Sequence, residues 1–99
     1  MAIELIVAPE AEQDLTEAYA WYQQQRPGLG EEFLTCVDAA IASIVRSPEA
    51  RGLIHLNYRR ALVRRFPYAV FYEYLGEAVT IYGIFHGARD PQKWRTRLP

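Results

Sequence analysis

The sequence predicts an α+β fold: an N-terminal strand, a helical hairpin, then a three-stranded antiparallel sheet with a short C-terminal helix. Three observations predict it. Apolar residues recur at helical spacing through the first half of the chain and at strand spacing after Gly52. Turn residues at Arg26-Pro27-Gly28-Leu29-Gly30 cut the helical half in two. Gly76-Glu77 separates two β-rich runs by the length of a tight hairpin turn.

The elements follow in order. Ile3-Glu4-Leu5-Ile6-Val7 is short, rich in aliphatic residues and bounded by Pro9, the pattern of a strand. Pro9 at a first helical position, with Glu10, Glu12 and Asp14 behind it, opens a helix whose positive dipole end favours those acids, although Ala8 is a poor N-cap. Leu15, Ala18, Tyr19 and Tyr22 give that helix its apolar face. In the second helix Phe33, Val37, Ala40, Ile41, Ile44 and Val45 form a wide stripe, and Ser47-Pro48 ends it. Strands are expected at Leu53–Asn57 running loosely into Arg59–Arg65, at Tyr68–Leu75 and at Ala78–His86. Glycine first in the Gly76-Glu77 loop suits a type II′ turn. Asp90-Pro91 reads as the cap and first position of a short helix, Pro91–Arg97.

Ninety-nine residues at 11.4 kDa suit one domain over residues 1–99. With 51% apolar and 23% charged residues the balance is that of a globular chain, not a disordered one. The longest uncharged apolar run, Ala78 to Phe85, is eight residues, far below the roughly 20 that span a bilayer. The start Met1-Ala2-Ile3-Glu4 is not that of a signal peptide. One cysteine, Cys36, leaves no internal disulfide and no cysteine-based zinc site, and the expected compartment is a reducing cytoplasm. No membrane association is expected.

The net charge of −1 conceals an asymmetry. Residues 1–50 carry nine acids and two bases, a net of −7, whereas residues 51–99 carry three acids and nine bases, a net of +6. Ten of the eleven bases are arginine, whose planar fork suits carboxylates, phosphates and aromatic faces. Either an acidic half pairs with a basic half inside one fold, or the arginines meet a partner; the two readings are compatible.

The last two strands lack the apolar/polar alternation of a sheet with one wet face. Strict alternation groups Tyr68, Val70, Tyr72 and Tyr74 against Ala69, Phe71, Glu73 and Leu75, then Val79, Ile81, Gly83 and Phe85 against Thr80, Tyr82, Ile84 and His86. A helical hairpin covers one face only. The other is expected to meet a partner, with coverage by the small terminal helix through Trp94 and Leu98 as the competing reading. Tyr58, Tyr68, Tyr72, Tyr74 and Tyr82 lie in this half beside the arginines, a composition typical of interfaces.

No cofactor or metal is expected. Gly28-Leu29-Gly30 follows a helix instead of a strand and lacks the third glycine of a nucleotide fingerprint. His55 and His86 have no spaced ligands nearby. Cys36 beside an apolar stripe reads as core filling, Ser43 and Ser47 lack a nucleophile-elbow context, and the carboxylates near helix starts answer to the dipole. One constellation remains: Arg59, Arg60, Arg64 and Arg65 with His86, and Arg89, Lys93, Arg95 and Arg97 beyond it. A histidine among arginines suits metal-free RNA cleavage; the same arginines suit an acidic protein segment with no chemistry at all.

Four segments carry a resemblance: Asp14-Leu15-Thr16-Glu17-Ala18-Tyr19-Ala20-Trp21-Tyr22, Arg26-Pro27-Gly28-Leu29-Gly30, Arg65-Phe66-Pro67-Tyr68-Ala69-Val70-Phe71-Tyr72 and His86-Gly87-Ala88-Arg89-Asp90-Pro91-Gln92-Lys93-Trp94. In this order they resemble the ParE/RelE superfamily of bacterial type II toxins over almost the whole chain. The resemblance implies a helical hairpin on a small antiparallel sheet, and a growth-inhibiting toxin in a hetero-oligomer with a cognate antitoxin. Antitoxin-binding candidates are Tyr58, Arg60, Arg64, Tyr68, Tyr72, Tyr74 and Tyr82. RelE-like members cut mRNA on the ribosome; ParE-like members inhibit DNA gyrase and are not nucleases. Where the nuclease branch places a phosphate-holding arginine this chain has Tyr68, and a net charge of −1 does not suit work inside ribosomal RNA. The ParE branch is therefore expected, without direct nucleic-acid binding and without catalytic residues, and with Arg89, Lys93, Trp94 and Arg97 as target-binding candidates. The alternative is a RelE-like endoribonuclease using His86 with Arg59, Arg60, Arg64 and Arg65.

Overall fold

The structure, a computed structural model, describes residues 2–86 and 96–97. Strand β1 (Glu4–Val7) leads into helices α1 (Pro9–Gln25) and α2 (Leu29–Arg46), followed by strands β2 (Leu53–His55), β3 (Tyr58–Leu62), β4 (Tyr68–Leu75) and β5 (Ala78–His86). The expected three-stranded sheet is corrected to five strands in the order β1-β5-β4-β3-β2. β1 joins β5 as a parallel edge strand, Glu4 opposite Ala78 through Val7 opposite Ile81, and all other pairings are antiparallel. Parallel pairing with a strand some seventy residues away leaves no local signature. β2 and β3 are separate strands because Leu56 turns the chain at φ 51°. β3 ends at Leu62, short of the expected Arg65, which itself sits at φ 70° in the turn before β4.

Local chemistry accounts for the helices. Pro9 occupies the first turn of α1 with Glu10 and Glu12 beside it, and Ala8 caps without a side-chain hydrogen bond. Gly28 at φ +90° reverses the chain, and Gly30 opens α2 against α1 so closely that a Cβ there would lie 2.8 Å from the Tyr19 ring. The Gly30 N–H donates to Gln23 Oε1 at 2.9 Å. Both helices pack on one face of the sheet. Phe33, Val37 and Ile44 of α2 and Ala11, Ala18 and Tyr22 of α1 are buried against Val70, Tyr72, Val79 and Ile81. Phe66 and Tyr68 close the end of this core, their rings 4.9 and 6.0 Å from that of Tyr22.

The hairpin turn is as expected. Leu75 pairs with Ala78, Gly76 has φ +62°, and Glu77 is not left-handed, which fits type II′. Strict alternation along β5 is corrected by a bulge. The register steps from Phe71 opposite Gly83 to Tyr72 opposite Ile81, so Tyr82 is an extra residue and the phase reverses. Val79, Ile81 and Ile84 therefore share the helix-covered core, while Tyr82 and Phe85 pack on the opposite face. The expected helix Pro91–Arg97 falls mostly on residues 91–95, which lie outside the described residues; Thr96 and Arg97, which are described, have helical backbone. Among the described residues no helix is long and apolar enough to cross a membrane.

Candidate functional site

α1 and α2 cover one face of the sheet. Trp94 and Leu98, the competing cover for the other, lie outside the described residues. Among the described residues that other face is built largely of the sheet's own side chains. Tyr58, Ala69 and Phe71 are buried there, with Ile54, Tyr82 and Phe85 packed around them. Aromatic pairs set edge to face make this floor: Tyr58 on Tyr82 and Phe71 on Phe85, each with ring centroids 5.3 Å apart. Tyr82 Oη donates to Glu73 Oε1 at 3.2 Å. Burial, reinforced by the Glu73 carboxylate, pushes the phenols of Tyr58 and Tyr82 up, so both are neutral near pH 7.

Beside this floor, at the β2 edge, Arg51, Gly52, Leu53, Ile54, Arg60 and Leu62 line an open depression of about 590 Å³. Leu53 and Leu62 are 57% and 71% exposed. Arg51 donates to Ser43 Oγ at 3.0 Å, and exposed Arg60 beside aliphatic surface in a shallow site suits a segment carrying carboxylates and apolar side chains. The shape does not suit a small substrate, which needs an enclosing cleft.

The second feature lies at the other end of β5. β1 covers its edge only as far as Ile81, which leaves later amides without a strand partner on that side. Asp14 Oδ2 takes one of them, the Ile84 N–H, at 3.1 Å. Arg97 adds a two-pronged ion pair, Nη1 to Oδ2 at 3.0 Å and Nη2 to Oδ1 at 3.2 Å. Its guanidinium carbon also lies 4.8 Å from the centre of the Phe85 ring.

The residues singled out from the sequence scatter. Tyr72 is wholly buried, its Oη donating to the Pro48 carbonyl at 2.8 Å, and Tyr68 and Tyr74 pack half-buried on the same core. The single tyrosine surface is therefore corrected: the pleat turns Tyr68, Tyr72 and Tyr74 under the helices, and Tyr58 and Tyr82 belong to the opposite floor. Arg59 donates to the carbonyls of Glu49 and Arg51 and secures the α2–β2 connection. Arg65 Nη2 reaches Glu32 Oε1 at 2.8 Å, and Arg26 Nη2 takes the other carboxylate oxygen at 3.0 Å. Arg65 and then Arg26 hold the Glu32 carboxyl below its usual range. Arg60 and Arg64 are exposed.

His86 pairs with Tyr68 at the end of β4, their rings 5.3 Å apart on the helix-covered side. Arg60 pairs with Phe71, whose other neighbour is Gly83, so Arg60 and His86 lie on opposite faces. They are also three residues apart along the sheet, about 10 Å. His86 and Arg60 do not gather around one point. Arg89, Lys93 and Trp94 lie outside the described residues. Arg97, expected as an exposed target-binding residue, is exposed and also ion-paired to Asp14. Sequence reading missed Asp14 as its partner. The available signal was spacing: Asp14 stands three residues after Ala11 and four before Ala18, on the face that α1 buries.

Comparison with known proteins agrees with this arrangement. The family described as ParE toxin of the type II toxin-antitoxin system parDE matches residues 5–91. Toxin ParE2 of Mycobacterium tuberculosis, in strains CDC 1551 / Oshkosh and H37Rv, is 32% identical over 81 residues, spanning 81% of this chain and 77% of the relative. Among solved structures, a chain of the chromosomal ParDE TA system from P. aeruginosa superposes with a TM-score of 0.76. That match covers 86% of this chain and 96% of the other at 16% identity, a likeness of fold.

Proposed function

Since the chain belongs to the ParE toxin family of type II toxin-antitoxin systems, we propose that it arrests growth in the cytoplasm by binding and inhibiting DNA gyrase, and that a cognate antitoxin neutralises it. The single observation that carries the choice against mRNA cleavage is the separation of His86 from Arg59 and Arg60. Metal-free phosphodiester cleavage needs a proton-transferring group and phosphate-holding cations on one substrate. Here the histidine backs onto Tyr68, Arg59 is spent on loop carbonyls, and Arg60 faces the other side of the sheet.

The open depression supports the antitoxin half of the proposal. Arg60 offers an exposed guanidinium for carboxylates, and Leu53, Ile54 and Leu62 offer apolar surface for alternate side chains of an extended or helical tail. A gyrase supercoiling assay with scoring of cleavage complexes, run beside a translation extract in which mRNA length is followed, tests the whole reading. The expected result is lost supercoiling with intact mRNA. Cut mRNA with normal supercoiling would overturn it in favour of the nuclease.

A further inference from the structure

The sheet has two outer edges, β1 on one side and β2 on the other, and among the described residues neither has a further strand partner. At β1 the Glu4 and Ala8 amides donate to the Glu77 and Ile81 carbonyls, so alternation turns the Leu5 and Val7 amides outward. Leu5 and Ile6 are 44% and 41% exposed, and Leu53 and Leu62 stand exposed at the opposite side. Neither β1 nor β2 contains the proline or lysine that commonly blunts a sheet edge. The two edges carry opposite charge. Glu4 and Glu77 are exposed where β1 begins, Glu10 is exposed just past its end, and residues 1–25 contain no lysine or arginine. Residues 50–66, which include β2 and β3, contain five arginines and no acid, with Arg60 exposed beside Leu53 and Leu62.

We propose that the free chain associates head to tail, the β1 edge of one copy adding to the β2 side of the next. Only this pairing joins acid to base: two β1 edges would bring glutamates together, and two β2 sides would bring arginines together. β1 and β2 run in opposite directions within one sheet, so copies in the same orientation meet antiparallel with their helices on the same side. Leu5 and Leu53 then lie on the helix-covered side of the joint, Ile6 and Ile54 on the other. Because the two patches differ, the contact does not close on itself, and a third copy can add at either end. Strands of 4 and 3 residues make few hydrogen bonds, so the association is weak and falls with salt. The antitoxin reading places its tail on this same β2 side, so tail and second copy exclude each other there. The proposal itself rests on neither the gyrase nor the antitoxin reading.

Sedimentation of the purified full chain, without antitoxin, over roughly a hundredfold range of concentration tests this. The mean mass should rise past that of a dimer and fall back in high salt. Glu4→Arg and Arg60→Glu should each move the association to about tenfold higher concentration, with circular dichroism unchanged, because each sets like charges edge to edge. Glu4→Arg combined with Arg60→Glu in one chain should restore association near the wild-type level. Symmetric pairing of two β1 edges predicts neither the Arg60→Glu effect nor that rescue. A wild-type chain that stays monomeric throughout would leave these edges to another partner and overturn the proposal. So would a mass that levels off at a dimer, an Arg60→Glu chain that associates like the wild type, or a double variant no better than the single ones.

Discussion

Tyr72 in the middle strand of the sheet donates a 2.8 Å hydrogen bond to the carbonyl of Pro48, tying the sheet to the chain that leaves α2. Both residues are buried, so removing the hydroxyl leaves a carbonyl that water cannot reach. Tyr72→Phe is expected to cost about 1–2 kcal/mol in urea denaturation, with an unchanged m-value. No loss would mean that Pro48 finds another donor.

Burial raises the phenols of Tyr22, Tyr58, Tyr72 and Tyr82 above the ordinary value of 10.0. The unfolded chain therefore releases these protons first. Stability should hold up to about pH 10 and fall above it, as unfolded tyrosines ionise while folded ones do not. Denaturation midpoints across the alkaline range measure the slope, and Tyr72→Phe should reduce it.

Glu32 gathers Arg65 and Arg26, and its carboxyl is held below the usual 4.5 by those two hydrogen bonds. A depressed carboxyl stabilises above its unfolded pKa and loses that contribution as pH falls through the folded value. Glu32→Gln should lower the thermal midpoint slightly at pH 7, less in high salt, and not at all in strong acid. A midpoint loss that persists in strong acid would show that packing, not charge, is at stake.

Arg60 is the exposed arginine of the open depression, whereas Arg51 is tied to Ser43 beside the buried Tyr72 phenol. Arg60→Glu is expected to weaken antitoxin binding several-fold, mainly through slower association, with circular dichroism unchanged. His86→Ala is expected to keep both antitoxin binding and growth arrest. A folded His86→Ala chain without toxicity would transfer the assignment to the nuclease.

Reversal at Arg97 is not a clean test of target binding. A glutamate there would face Asp14 across the gap that the guanidinium fills, and any loss of toxicity would mix local repulsion with lost recognition.

What the sequence by itself determined is local. Pro9 with Glu10 and Glu12 started α1, Pro27 and Gly28 parted the helices, and the apolar stripe from Phe33 to Ile44 marked the buried side of α2. Gly76-Glu77 set the β4–β5 hairpin and its pairing. The family was legible too, because its segments are contiguous runs of residues. Only the tertiary structure decided which side chains face out. β-strand alternation names two faces without saying which one the helices take, so Tyr72 was indistinguishable from Tyr58 until α1 and α2 were placed. One inserted residue, Tyr82, then reversed the phase of half of β5, and no periodicity announces a bulge in advance. Asp14 and Arg97 meet only because β1 stops at Ile81's level and leaves an amide to be answered. Contacts made across such distances depend on where whole elements pack, and no window of neighbouring residues contains that information.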